Sequence, residues 1–125
     1  MDEWRTALNF SRCHSWRSIA YSASRIPSYP GIYVFTPSVG RLRDGDVLYV
    51  GRTDTTLRDR LWGYITNRNR HKGAHFLRSE VRSRGPQNVF VRWAIWGDPR
   101  EYEGELIADL APWFNTRFEA LRMNT

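Results

Sequence analysis

Cysteine is nearly missing from this chain: among 125 residues there is one, Cys13. A single thiol excludes an internal disulfide and any cysteine-based zinc centre. No apolar run approaches the ~18 residues of a membrane span. Met1-Asp2-Glu3-Trp4-Arg5 lacks the basic-then-apolar pattern of a secretion signal, so a cytoplasmic location is expected. Lysine is scarce too, since the 19 basic residues include only Lys72. There is no internal repeat and no low-complexity tract. Strand carboxylates never come in the pairs that two-metal hydrolases use. His71 and His75 flank a glycine in a basic stretch and read as loop residues rather than metal ligands.

The length fits one domain with a single core of moderate size. Hydrophobic residues at 41% and charged residues at 26% are ordinary for a globular chain. The net charge of +6 is concentrated. Between Arg52 and Arg84 stand nine basic residues and three acids, which accounts for the whole excess. A one-sided basic stretch is the footprint of a polyanion binder, and a solvated helix face is the plainer alternative.

Residues 1–29 read as a helical leader. Trp16, Ile19, Ala20 and Ala23 recur at helical spacing as far as about Ser24, and Ile26-Pro27 breaks the run. Pro30-Gly31 is turn chemistry, followed by the strand formers Ile32-Tyr33-Val34-Phe35. A polar loop over 37–46 leads to a second strand, Val47-Leu48-Tyr49-Val50. Thr53 to Thr56 offer caps for a helix carrying Leu57, Leu61, Tyr64 and Ile65 on one face. A second helix is expected over 74–82, a third strand over 89–96, and a last helix from Asp98 to about Leu110, closed by Pro112. The expected fold class is α/β: a small single domain with a three-stranded, mostly antiparallel sheet flanked by helices.

Five elements in this order resemble the GIY-YIG nuclease superfamily, which includes the nuclease domain of the UvrC repair protein and homing and restriction endonucleases. They are Pro30-Gly31-Ile32-Tyr33-Val34-Phe35, then Val47-Leu48-Tyr49-Val50-Gly51-Arg52, then Leu57-Arg58-Asp59-Arg60 with Tyr64 four residues on. Glu103 with Leu106-Ile107 follows, and Pro112-Trp113-Phe114-Asn115 is last. The match spans 30–115 and leaves the leader 1–29 and a tail, 116–125, outside it.

The resemblance implies a divalent-metal-dependent endonuclease hydrolysing DNA. One of Tyr33 and Tyr49, unranked, helps activate the nucleophile. An unperturbed phenol, with a pKa near ~10, needs nearby positive charge to act as a base. Arg60 stabilises the scissile phosphate, Tyr64 bonds that phosphate or the attacking water, and Asn115 fastens the end of the last helix. Glu103 holds one Mg²⁺ (or Mn²⁺) completed by waters and substrate oxygens. Glu101 and Glu105 make Glu103 part of an acidic run, and its spacing to Pro112 and Asn115 selects it. Gly51, Arg52, Arg58, Arg68, Arg70 and Lys72 are expected to contact substrate phosphates. Two departures stand out. One extra residue between Gly51 and Leu57 leaves the register of Arg58 against Arg60 open, and Arg52 stands where the repair enzymes have lysine.

Taken singly, Tyr33 and Tyr49 are equally good sheet-core residues. The competing functions are a non-catalytic nucleic-acid-binding module on the same fold, a protein-interaction domain, and the nuclease part of a toxin or effector. Double-stranded DNA is the expected partner. A second copy of the chain, or an immunity or specificity protein, is a further one.

Overall fold

The computed structural model describes residues 3–115, so Met1, Asp2 and the expected tail over 116–125 lie outside the described residues. The sheet is built around β2 (Gly31–Thr36), every residue of which is buried. β2 pairs antiparallel with β3 (Tyr49–Thr53) on one side and β4 (Phe90–Ile95) on the other. A two-residue strand, β1 (His14–Ser15), adds to the outer edge of β4, also antiparallel. The sheet therefore has four strands in the order β1-β4-β2-β3, not the three expected. Two residues are too few to show strand alternation in a sequence, and β1 exists only because β4 offers it an edge.

Helices cover both faces. Successive β2 side chains alternate between them. Tyr33 and Phe35 face α2 (Trp16–Tyr21), α3 (Leu57–Ile65) and α4 (Lys72–Arg84), where Ile19, Leu61, Tyr64 and Leu77 complete the core. Ile32 and Val34 face α1 (Glu3–Ala7) and α5 (Arg100–Leu110), through Trp4, Leu106 and Leu110. The leader is thus built into both layers. Trp4 donates its indole N–H to Asp109 Oδ2 at 2.8 Å, and Ile26 is fully buried. Among the described residues no helix is long and apolar enough to cross a membrane.

Among the boundaries that differ from expectation, α5 begins at Arg100, with Pro99 rather than Asp98 at its N-cap position. β3 begins two residues late and runs through Gly51, Arg52 and Thr53, because the register with β2 continues as far as Gly31↔Thr53. α4 begins at Lys72, inside what reads as a loop, because His71 caps it. Histidine is outside the Ser/Thr/Asp/Asn set by which N-caps are recognised in sequence.

β3 is an edge strand, and its open side is closed by the segment after α5. Trp113 and Phe114 donate backbone N–H groups to the carbonyls of Val47 and Leu48, both at 3.0 Å. The Asn115 side chain then behaves like a peptide of a missing neighbour strand. Its Oδ1 accepts from Val50 N at 2.8 Å, and its Nδ2 donates to Val50 O at 2.9 Å. That pairing satisfies an edge that would otherwise be open to other chains.

Candidate active site

The two glycine-tyrosine motifs form one surface. Tyr33 lies directly opposite Gly51, and Tyr49 opposite Phe35, so both phenols rise from the same face, diagonally placed. Gly51 is needed for space: a Cβ there would come within 2.6 Å of Tyr33 Cε1 and closer still to Cζ and the hydroxyl. Gly31 is needed likewise, since a Cβ would strike the carbonyl of Ala94 and sit 2.9 Å from Leu57 Cδ1. The glycine of each motif therefore has a packing reason, independent of the phosphate approach expected of Gly51.

α3 brings the next groups. Thr56 caps it by accepting from Asp59 N at 3.1 Å. Tyr64 lies one turn beyond Arg60 and shares its side of the helix. Its hydroxyl is 2.8 Å from that of Tyr33, and the two rings meet edge to face with centroids 5.7 Å apart. The positive charge of Arg60 bears on Tyr33, Tyr49 and Tyr64 alike. Among the described residues no carboxylate pairs with Arg60. Arg58 points elsewhere. Its Nε and Nη2 donate to the carbonyls of Ile26 and Ser24 at 2.8 and 3.0 Å, tying α3 to the leader. The register left open in the sequence thus puts Arg60 at the phenols and turns Arg58 from an expected phosphate contact into an anchor.

A residue the sequence reading had set aside as a loop histidine joins the tyrosines. His71 is solvent-exposed, yet both of its ring nitrogens are engaged. Nδ1 accepts from Ala74 N at 3.2 Å, and Nε2 is 3.0 Å from the Tyr64 hydroxyl. Its ring also stacks on Tyr49, with centroids 5.8 Å apart at 26°. The missed signal is its position at the start of a helix, seven residues past a motif tyrosine. Gly73 makes room for this stack, since a Cβ there would lie 2.7 Å from Tyr49 Cε1. His75, by contrast, is exposed and packs its ring against Phe76.

Burial ranks the three phenols. Tyr33 is 1% exposed and Tyr64 fully buried, whereas Tyr49 is only partly buried. Burial pushes the Tyr33 phenol far above its usual range, with Tyr49 adding to the rise. Tyr64 is raised strongly for the same first reason. Tyr49 is raised by burial and then by the charge of Glu103, while the Tyr64 hydroxyl and Arg60 pull it back. Although the residue is exposed as a whole, partial burial of its ring lowers His71 from the ordinary histidine value, and Arg60 and Arg78 add to that.

Glu103 stands on α5, which covers the other face of the sheet, and its charge bears on Tyr49 and Tyr33. Burial raises its carboxyl, and Arg52 partly offsets that. Arg52 holds it with an Nε–Oε1 contact of 3.0 Å and uses Nη1 to bind Asp54 Oδ2 at 2.8 Å. Arg52 thus bridges two carboxylates, with no phosphate role visible in that pairing. No group of three His, Cys, Asp or Glu side chains is gathered to hold a metal among the described residues. The donor set is still compatible with Mg²⁺, which is commonly held by one or two carboxylates and otherwise by water and phosphate oxygens. Glu103, half-buried, would be that carboxylate, and Arg52 would have to yield its Oε1 contact to the ion.

Arg68 and Arg70 are exposed on the α3–α4 connection, and Lys72 is exposed at the start of α4. Asn69 pins that connection by donating to Arg60 O at 3.2 Å. The result is a cationic rim beside the phenols. Comparison of the chain with family models, with curated proteins and with solved structures finds no match to any of them.

Proposed function

We propose that this chain is an endonuclease of the GIY-YIG type, hydrolysing phosphodiester bonds of DNA with a divalent ion at Glu103. The observation that carries the reading is the convergence of Tyr49, Tyr64 and Arg60 on one sheet face, with the charge of Glu103 bearing on Tyr49. These are hydrogen-bonded phenols beside an arginine that no carboxylate among the described residues neutralises. They suit an anion whose charge grows during reaction.

Of the two motif tyrosines, Tyr49 is the one a substrate can touch. Tyr33 is sealed beneath it and serves as support. In the proposed step Tyr49 first loses its phenol proton to solvent; its Oη then takes a proton from the attacking water as the water oxygen bonds to phosphorus, the opposite P–O bond breaks, and the leaving oxygen takes a proton from solvent. Arg60 faces the charge that accumulates on the phosphate, and the buried Tyr64 hydroxyl donates toward Tyr49, favouring its deprotonated form. When bound, a divalent ion at Glu103 supplies positive charge at the phosphate and cancels the carboxylate charge that raises Tyr49. Arg68, Arg70 and Lys72 attract the duplex through its backbone, which makes binding salt-dependent.

A non-catalytic nucleic-acid-binding module on the same frame is the second reading, and the Arg52–Glu103 ion pair favours it by occupying the one carboxylate of the site. Incubation of the protein with supercoiled plasmid in Mg²⁺ and in EDTA separates the two. Nicking in Mg²⁺ alone is expected. Retarded plasmid that stays supercoiled would establish the binding module instead.

A further inference from the structure

Tyr64 has one proton to donate and two lone pairs to fill, and it stands between two polar neighbours. On one side is the Tyr33 hydroxyl at 2.8 Å, and on the other His71 Nε2 at 3.0 Å. Which way each bond runs follows from what the neighbours can do. His71 Nδ1 caps α4 by accepting the Ala74 N–H, so it carries no proton. In a neutral imidazole the proton is then on Nε2, which must donate to Tyr64. Tyr33 is 1% exposed and has Tyr64 as its only hydroxyl-bonding partner among the described residues. A buried O–H left without an acceptor is costly, so Tyr33 also donates to Tyr64. Both lone pairs of Tyr64 are thereby filled. Its own proton can go only to the remaining side, where Tyr49 stands with its ring centroid 6.5 Å away.

We propose that His71 is a positioning residue of this site: as the Nε2–H tautomer, fixed by its cap on α4, it commits the Tyr64 hydroxyl to donate toward Tyr49. One imidazole thus joins the start of the basic helix to the orientation of a buried phenol. Its ring also packs flat on Tyr49. The charged groups facing it are Arg60 from α3 and Arg78 from α4, and both disfavour its protonation. A protonated ring would carry hydrogen on both nitrogens and would give up the cap.

The effect on cutting rests on the endonuclease reading, but the tautomer does not. Two variants divide the roles of the ring. His71→Asn keeps an acceptor at the Nδ1 position, where asparagine is a good cap, and cannot reach Tyr64. His71→Gln places an amide N–H near the Nε2 position and loses the cap. Nitrogen-15 spectra of the substrate-free protein at pH 7 are expected to show His71 with bare Nδ1 and protonated Nε2. The Tyr64 hydroxyl proton is expected to be slow to exchange in the parent and fast in H71N. With duplex DNA and Mg²⁺, H71N is expected to melt with the parent yet cut about fivefold to tenfold more slowly in single turnover. H71Q should recover most of that rate while melting lower. The opposite tautomer, or a Tyr64 hydroxyl indifferent to H71N, overturns the proposal. If the parent cuts nothing, the endonuclease reading falls alone, and the two spectra still decide the role of His71.

Discussion

Adding one methyl group at Gly51 should unseat the buried half of the site. In Gly51→Ala the new Cβ would lie 2.6 Å from Tyr33 Cε1 and nearer to the rest of its polar end. Tyr33 cannot simply turn away, because it is 1% exposed and packed edge to face against Phe35 and Tyr64. Overpacking a close-fitted core costs about 1–3 kcal/mol. Displacing the ring also breaks the Tyr33–Tyr64 hydroxyl bond, a further loss of about 1 kcal/mol. Together these give about 3 kcal/mol. Unfolding entropy near 2.1 cal/mol/K per residue converts that, for 125 residues, into a fall in melting temperature of about 11 °C. The same substitution at Gly104, on the exposed side of α5 where a Cβ meets nothing, should raise stability by up to about 1 kcal/mol through helix propensity. Urea denaturation of the two variants side by side is the assay. If Gly51→Ala unfolds within about 0.5 kcal/mol of the parent, an ordinary surface-like change, the reasoning that Gly51 exists to seat Tyr33 is wrong.

Asn115→Ala removes both bonds to Val50, so we expect a loss of about 1–2 kcal/mol and faster hydrogen exchange at the Val50 amide. An unchanged exchange rate would show that the edge is closed by other groups. Arg60→Ala should slow cutting by at least about 100-fold with little change in melting temperature, whereas Arg58→Ala should lower melting and leave cutting within a few-fold. The reverse pattern would reassign the two arginines. The folded state holds His71 below its ordinary value of 6.5, so the unfolded chain takes up that proton first as pH falls. The stability this gives is present above pH 6.5 and declines below it. His14, also lowered, adds the same sign, while the raised Glu103 carboxyl opposes it. The difference between parent and His71→Asn in urea midpoints at pH 5 and pH 7.5 isolates His71, and parallel slopes would refute the assignment.

Much of the fold is legible in the sequence because its signals are local. Turn chemistry before Gly31, strand formers after it, and helical spacing from Leu57 and through Leu106 mark elements that the structure places where expected. What is not legible depends on partners distant in the chain. β1 is strand only against β4, and α4 starts early because an imidazole serves as its cap. The site divides in the same way. The motif residues Tyr33, Tyr49, Tyr64 and Arg60 are visible from order and spacing. The ranking of the phenols needs burial, which sequence alternation cannot supply when every residue of β2 is covered. Arg58 and Arg60 are both plausible on a helix face until the Ile26 and Ser24 carbonyls claim the first. The attachment of Arg52 to Glu103 joins residues 51 positions apart, and no local pattern announces it.

The central claim is that Tyr49, rather than Tyr33, meets the substrate at a hydrolytic site. Single-turnover cleavage of end-labelled duplex DNA in Mg²⁺ by Tyr49→Phe and Tyr33→Phe tests it most directly. Losing a general base costs about 10²–10⁴ in rate, so Tyr49→Phe should fall by at least about 100-fold. Tyr33→Phe keeps its ring over Gly51 and should fall by less than about tenfold, the size of one lost hydrogen bond. Equal losses, or a larger loss for Tyr33→Phe, would contradict the account.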